Sequence, residues 1–327
     1  MMLTNGGDLG KRDDRIDSLK YWLMVLVIAG HVFSQEQFSS NSICTVVWQW
    51  IYMFHMPLFV FVSGYFSRKK DIREFFWNCL KLIEPLIVYQ VIMRSYLFLS
   101  TGVISIKEIL TPWWVLWYLL SLFFWRLLLQ ILPDKILSRT MLVVASAFII
   151  SLIAGFLPLD RMLSLQRTLA FMPFFFMGYS TRGKNLFIAK KYRVYCVLFL
   201  ILTIAFPIFF SSYLGDLNQA DPYETPYRAF SRMLVFGLSI PMSIAFMNIC
   251  PNTPWIAKQG KLTMQYYIYH AIIIFALMKF VTKFDLPISL LSAVLYTIGI
   301  IIVIALFSYF PFFTKLTNPS SFFKKHK

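Results

Sequence analysis

Long apolar runs separated by short polar loops occupy the chain from about residue 16 to residue 310. Ten runs are readable, at about 19–34, 44–66, 79–99, 113–132, 141–159, 168–179, 194–214, 230–249, 262–281 and 287–309. A helix that crosses the roughly 30 Å hydrocarbon of a bilayer needs roughly 20 mainly apolar residues. Membrane strands would instead alternate apolar and polar positions, and these runs are continuous. The pattern predicts an all-α integral membrane protein with about ten transmembrane helices. The first and sixth runs are short. The first is expected to begin near Ile16, and the sixth to be a half-span or re-entrant segment. Three segments follow: residues 1–15 as a cytoplasmic N-terminal segment, 16–310 as the membrane domain and 311–327 as a basic cytoplasmic tail.

Composition agrees with the pattern. Charged residues make up 14% of the chain and mean hydropathy is +0.66, whereas a soluble domain carries about 25% charged residues. The net charge of +16 would suggest nucleic acid in a soluble protein. Here the cations sit in short loops, and cytoplasmic loops of membrane proteins collect Lys and Arg. With ten spans, 21 of the 31 cations fall on one side, among them Lys11, Arg12, Arg68, Lys184, Lys261, Lys324, Lys325 and Lys327. Lys107, Arg161, Arg167, Arg228 and Lys283 fall on the other. The split predicts both termini in the cytoplasm and no nucleic-acid partner. The first run, with basic residues before it and "VFSQ" after it, also has the outline of a cleavable signal. Removing it would spoil the charge split, so it is read as retained. Cys44, Cys79, Cys196 and Cys250 lie at or inside span ends without CxxC spacing, and no metal or disulfide is assigned. The aromatic stretch "PWWVLWY" at 112–118 reads as part of an interface belt.

Ionisable groups inside spans cost several kcal/mol on insertion scales and are candidates for function. They are His31, His55, Lys81, Glu84, Arg94, Arg232, His270 and Lys279. Lys279 is expected to snorkel to the interface, and Lys81 and Glu84 to pair at i, i+3 or stand apart. Arg94 is expected to neutralise a buried acid or face a polar cavity. Lys20 and His31 are eleven residues apart, close to three turns, so they share a face about 16 Å apart along the axis. With Lys20 at the cytoplasmic interface, His31 sits about halfway through the core. An elongated anion entering from the cytoplasm fits, with its phosphates at the lysine and its reactive end at the imidazole. Acyl-CoA has that shape. A histidine bonded to a neighbouring helix is the bland alternative.

These residues carry a resemblance. Lys20 and His31 resemble the Arg/Lys-x10-His motif of the acyltransferase-3 membrane proteins. "FHMPLFVFVSGYFSRK" (54–69) is similar to that family's second-helix segment, and "WYLLSLFFWRLL" (117–128) to its fourth. "RTLAFMPFFFMGY" (167–179) and "GKLTMQYYIYH" (260–270) resemble later segments of its fucose 4-O-acetylase-like branch. The resemblance implies a ten-helix enzyme that passes an acyl group, most often acetyl, from cytoplasmic acyl-CoA to a hydroxyl of a surface glycan. It implies His31 as catalytic residue and Lys20 as a donor-side residue. Where many members place Arg-x-x-Arg before a proline, this chain has Asn78 and Lys81 before Pro85, so donor contacts are expected from Arg68, Arg73 and Lys81 as well. His55, Ser63, Tyr65, Arg94, Arg167 and His270 are candidates for the acceptor site or cavity lining. The Ser63–Gly64 step also fits close helix packing. Residues 311–327 leave no room for the hydrolase-like domain that some members append, so the membrane domain is expected to act alone or with a separate partner.

A neutral imidazole can accept the proton of a sugar hydroxyl as it attacks a thioester; an acyl-histidine intermediate is the other route. The expected reading is a plasma-membrane O-acetyltransferase of capsule, exopolysaccharide or lipopolysaccharide that uses acetyl-CoA as co-substrate and holds no permanent cofactor. The alternatives are a transporter or flippase of a glycan or lipid intermediate, which would more often show repeats with broken helices, and an acyl-CoA-binding sensor.

Overall fold

The computed structural model describes residues 13–159 and 161–317. Lys11, Arg12, Lys324, Lys325 and Lys327 lie outside the described residues. All ten apolar runs are helical, and among the described residues there is no strand. The helices are α1 (Asp14–Phe33), α2 (Ser42–Tyr52), α3 (His55–Tyr65), α4 (Ile72–Thr101), α5 (Ile106–Leu110), α6 (Trp117–Ile131), α7 (Asp134–Leu137) and α8 (Thr140–Ala154). They continue with α9 (Leu165–Ser180), α10 (Arg193–Thr203), α11 (Ala205–Phe210), α12 (Arg228–Ile249), α13 (Pro254–Gly260), α14 (Thr263–Lys283), α15 (Leu290–Phe307) and α16 (Pro311–Leu316). Among the described residues, eight helical stretches are long and apolar enough to cross a membrane. The other two apolar runs form α8, of 15 residues, and α9, of 16.

Local chemistry sets the ends of α1. Asp13 caps it by accepting from the Arg15 N–H, and Asp14 and Asp17 occupy the first turn, where carboxylates suit the helix dipole. The second run is broken between α2 and α3. Pro57 has no N–H to give the Met53 carbonyl, and its ring crowds that turn. The chain therefore steps aside at Met53 and Phe54, and the His55 ring nitrogen Nδ1 bonds the Ile51 carbonyl at 2.9 Å.

The polar loops sort to two ends. At one end Lys69 pairs with Asp134 at 2.9 Å and Lys261 with Asp14 at 3.4 Å, and Arg182 donates to the Ser67 carbonyl. At the other, Arg161 pairs with Asp221 at 2.6 Å, Gln49 with Ser211 at 2.7 Å and Gln37 with Thr282 at 3.1 Å. The Arg161 guanidinium holds the Asp221 carboxyl below the usual carboxylate range, chiefly through their hydrogen bond. The first end is the cation-rich one, and the positive-inside rule orients it to the cytoplasm. On that orientation, a cysteine at Asn218, which is exposed, reacts with an impermeant thiol reagent in intact cells, and one at Lys184 does not. The reverse labelling would invert the molecule.

The sixth run differs from expectation. α9 starts beside Arg167, whose Nε donates to the Asn218 carbonyl at one end, and finishes before Arg182 at the other. It therefore joins both ends rather than re-entering. It is short yet buried along nearly its whole length, packed by α3, α6 and α8, so it need not match the lipid thickness. Glycines allow that packing. A Cβ on Gly64 would fall on the Phe175 backbone carbonyl, and one on Gly178 on the Phe61 carbonyl. This is the small-residue contact that lets helix backbones approach in membranes.

Candidate active site

His31 lies in the last turn of α1. Its Nδ1 is 3.1 Å from the Tyr52 hydroxyl at the end of α2. The indole of Trp114 meets its ring edge-on at 4.9 Å, and the His270 ring of α14 stacks on it at 5.4 Å. His55, His270 and Arg167 are all close enough to act on it electrostatically. The ring is therefore fixed by three helices and one loop, yet it is only half-buried, because open space lies beside it.

Two cavities flank it. The first begins at Lys20 and is about 290 Å³, with Ser63, Phe66, Tyr118, Arg126 and Tyr267 in its walls. Phe59, Tyr118 and Tyr267 also line a further space of about 20 Å³ that His31 itself borders. The Lys20 cavity and the small space beside the imidazole thus share three wall residues. The second cavity, about 640 Å³, opens at the other end and includes Trp114, the same indole that touches His31.

The mouth of the first cavity is cationic. Lys20 is held by buried Asp17 at 3.1 Å and lies over the Phe66 ring at 4.4 Å. Arg126, on α6, lines the same cavity, and among the described residues no carboxylate lies within salt-bridge distance of it. Tyr118 is hydrogen-bonded to Ser63, and Tyr267 donates to the Val115 carbonyl, so two of the three shared walls are rigid and polar-tipped.

The residues singled out from sequence divide clearly. Lys20 and Ser63 line the first cavity, and His55 and His270 join the His31 cluster. Arg167 lies over the Trp117 ring at 5.1 Å, and Trp117 borders the space beside His31. Arg68, Arg73 and Lys81 are exposed at the Lys20 end but do not line the cavity; Arg68 stands 3.9 Å from Glu74 instead. Tyr65 points away and donates to the Lys184 carbonyl at 3.1 Å. Arg94 lines neither cavity: it donates to the Thr111 carbonyl at 2.7 Å, and Glu108 acts on it electrostatically. With Gln90, which bonds the Ile109 and Thr111 carbonyls and the Trp113 N–H, it clamps the loop that carries Trp113 and Trp114. Lys279 is exposed and bonds the Tyr96 hydroxyl, in keeping with a snorkelling lysine.

Sequence reading missed Tyr52, Trp114, Tyr118, Arg126 and Tyr267. The stretch at 112–118, expected as interface belt, instead turns inward: Val115, Leu116, Trp117 and Tyr118 are buried. The short 3-10 turn Trp114–Leu116 drives these side chains into the bundle. The available signal was the density of aromatics beside a proline, which a lipid interface explains equally well.

Fold and site together define a multi-pass helical membrane protein with a half-buried imidazole set between two cavities. The chain belongs to the acyltransferase-3 family, whose acyltransferase domain matches residues 13–309. It is similar to the nodulation protein NolL of Sinorhizobium fredii, 26% identical over 217 residues that cover 58% of this chain and 57% of that protein. The chain thus spans little more than half the length of that relative. No solved structure matches it.

Proposed function

We propose that the protein transfers an acetyl group from cytoplasmic acetyl-CoA to a hydroxyl of a surface or exported glycan, at the plasma membrane. The observation that carries this reading is the cavity lined by Lys20 and Arg126, which shares Phe59, Tyr118 and Tyr267 with the space beside His31. Its cationic mouth suits the phosphates of CoA. Those shared walls suit a thin thioester-bearing arm. The space beside His31, about 20 Å³, favours a short acyl group over a long one. The likeness to the fucose 4-O-acetylase-like branch supports a sugar hydroxyl as acceptor.

The chemistry uses the tautomer in which the Tyr52 hydroxyl oxygen accepts from His31 Nδ1–H, which leaves the lone pair on Nε2. Nε2 then takes the proton of the acceptor hydroxyl as that oxygen attacks the thioester carbonyl. The C–O bond forms, the C–S bond breaks, and the thiolate of CoA recovers the proton from the imidazolium. His31 is the catalytic residue in this scheme, and Lys20 and Arg126 hold the donor.

The test is steady-state kinetics of purified protein at fixed ionic strength, because exposed charges are screened. The Arg126→Met variant is expected to raise the KM for acetyl-CoA about tenfold or more, the worth of one charge-assisted hydrogen bond, with a smaller change in kcat. Lys20→Met acts in the same direction. Such a split marks loss of binding common to ground and transition states. An unchanged donor KM in both variants would remove acyl-CoA from this cavity.

A further inference from the structure

The second cavity has a different chemistry from the first. Gln35, Gln37, Trp113, Trp114, Lys279 and Lys283 stand in its walls. Gln35 donates to the His31 carbonyl at 2.7 Å and Gln37 to Thr282 at 3.1 Å; among the described residues their amide oxygens make no bond. Trp114 takes a backbone φ of 36°, a left-handed conformation that bulky residues avoid. It is kept there by the loop that Gln90 and Arg94 clamp. The strained position puts one indole in contact with both the cavity and His31.

Snorkelling brings Lys279 to this interface but supplies neither lysine with an anionic partner. This end is the cation-poor one, so the positive-inside rule does not account for them. The arginines there are already engaged: Arg161 by Asp221, Arg167 by the Asn218 carbonyl, Arg228 by Glu224 at 3.7 Å. Lys279 bonds a neutral phenol, that of Tyr96, and Lys283 lies over the Phe284 ring at 5.6 Å. Among the described residues no carboxylate is within salt-bridge distance of either. Pockets that bind small ligands combine apolar and aromatic walls with a few placed polar groups. Indole rings offer flat apolar surface to a sugar ring, amide oxygens accept from its hydroxyls, and ammonium groups attract a carboxylate or phosphate.

We propose that this outer cavity is the acceptor site and that it selects an anionic saccharide, with a sugar ring against Trp113 and Trp114 and its carboxylate or phosphate at Lys279 and Lys283. The proposal rests on the reading of His31 as the catalytic residue. Donor and acceptor then approach that imidazole from opposite ends, and the acceptor hydroxyl passes Trp114 to reach it.

The test uses purified full-length protein in nanodiscs, with acetyl-CoA and the alkali-deacylated surface polysaccharide of the parent strain. The polysaccharide is offered as such, carboxyl-reduced, and dephosphorylated with hydrofluoric acid. The Lys279→Gln/Lys283→Gln variant is expected to raise the acceptor KM at least about tenfold, as loss of charge-assisted contacts would, with the KM for acetyl-CoA unchanged. The Lys279→Arg/Lys283→Arg variant should restore it. One chemical treatment should bring the parent protein to the same weakened KM: carboxyl reduction if the group is a uronate, dephosphorylation if it is a phosphate. Binding of the polysaccharide to the His31→Ala protein, followed by tryptophan fluorescence, should weaken in parallel when both lysines are changed. Equal acceptor KM and equal binding with and without the lysines, or indifference to both treatments, would overturn the proposal while leaving the role of His31 intact. Turnover that survives His31→Ala, or a parent protein that acetylates none of the three polysaccharide forms, would instead overturn the underlying reading.

Discussion

His31→Ala is expected to reduce acetyl transfer by about 10²–10⁴-fold, the usual worth of a general acid–base, with the protein still inserted and folded. Among the described residues the imidazole is the one titratable group that both borders the small space next to the Lys20 cavity and touches the indole of the outer cavity. Its removal leaves the Lys20 and Arg126 mouth untouched, so the KM for acetyl-CoA should change far less than kcat. The ring also packs against Trp114 and His270, and a hole there could loosen the site for trivial reasons. His31→Gln keeps most of that volume and still hydrogen-bonds, but it cannot take up a proton at neutral pH. Both variants should therefore be inactive and equally well folded by gel filtration and thermal unfolding. Near-normal turnover in a folded His31→Gln protein would return the histidine to a purely structural role.

The second large effect is on stability. Gly64→Ala places a methyl group against the Phe175 backbone carbonyl of α9. The obstacle is backbone rather than a flexible side chain, so the two helices must move apart. Overpacking of this kind costs about 1–3 kcal/mol and occasionally more, and the upper end is expected here because α9 is buried on nearly all sides. Gly178→Ala meets the Phe61 carbonyl and should behave alike. Gly237→Ala is the control. It lies within α12 with nothing within 4 Å of an added Cβ, and Ala is favoured over Gly in a helix by about 1 kcal/mol. The measurement is thermal unfolding of purified protein in one detergent. If Gly64→Ala were as stable as Gly237→Ala, α3 and α9 would not be packed at backbone contact.

Much of the architecture was written locally. The apolar runs became helices because a spanning segment must satisfy its own backbone, and that depends only on neighbours along the chain. The register of Lys20 with His31 was legible for the same reason, since both lie on α1 and helical spacing is a local property. Gly64 announced a close approach, and the uneven cation count sorted the loops into two groups that the fold indeed gathers at two ends.

Other features were decided only when helices met. A membrane helix is apolar on its lipid face and on its packed face, so hydropathy does not say which side looks into a cavity. Arg126 lines the Lys20 cavity whereas Arg68, Arg73 and Lys81 do not, although all four are cations near the same end. Tyr52 and His270 reach His31 from 21 and 239 positions away in sequence, and Trp114 from a loop that read as interface belt. The sequence by itself determined the membrane helices, the grouping of their loops into two sets and the register of Lys20 with His31. Only the tertiary structure decided which side chains close around that line and where the second cavity opens, because those depend on the rotation of each helix about its own axis, which is set by packing against its neighbours and by no periodicity of its own.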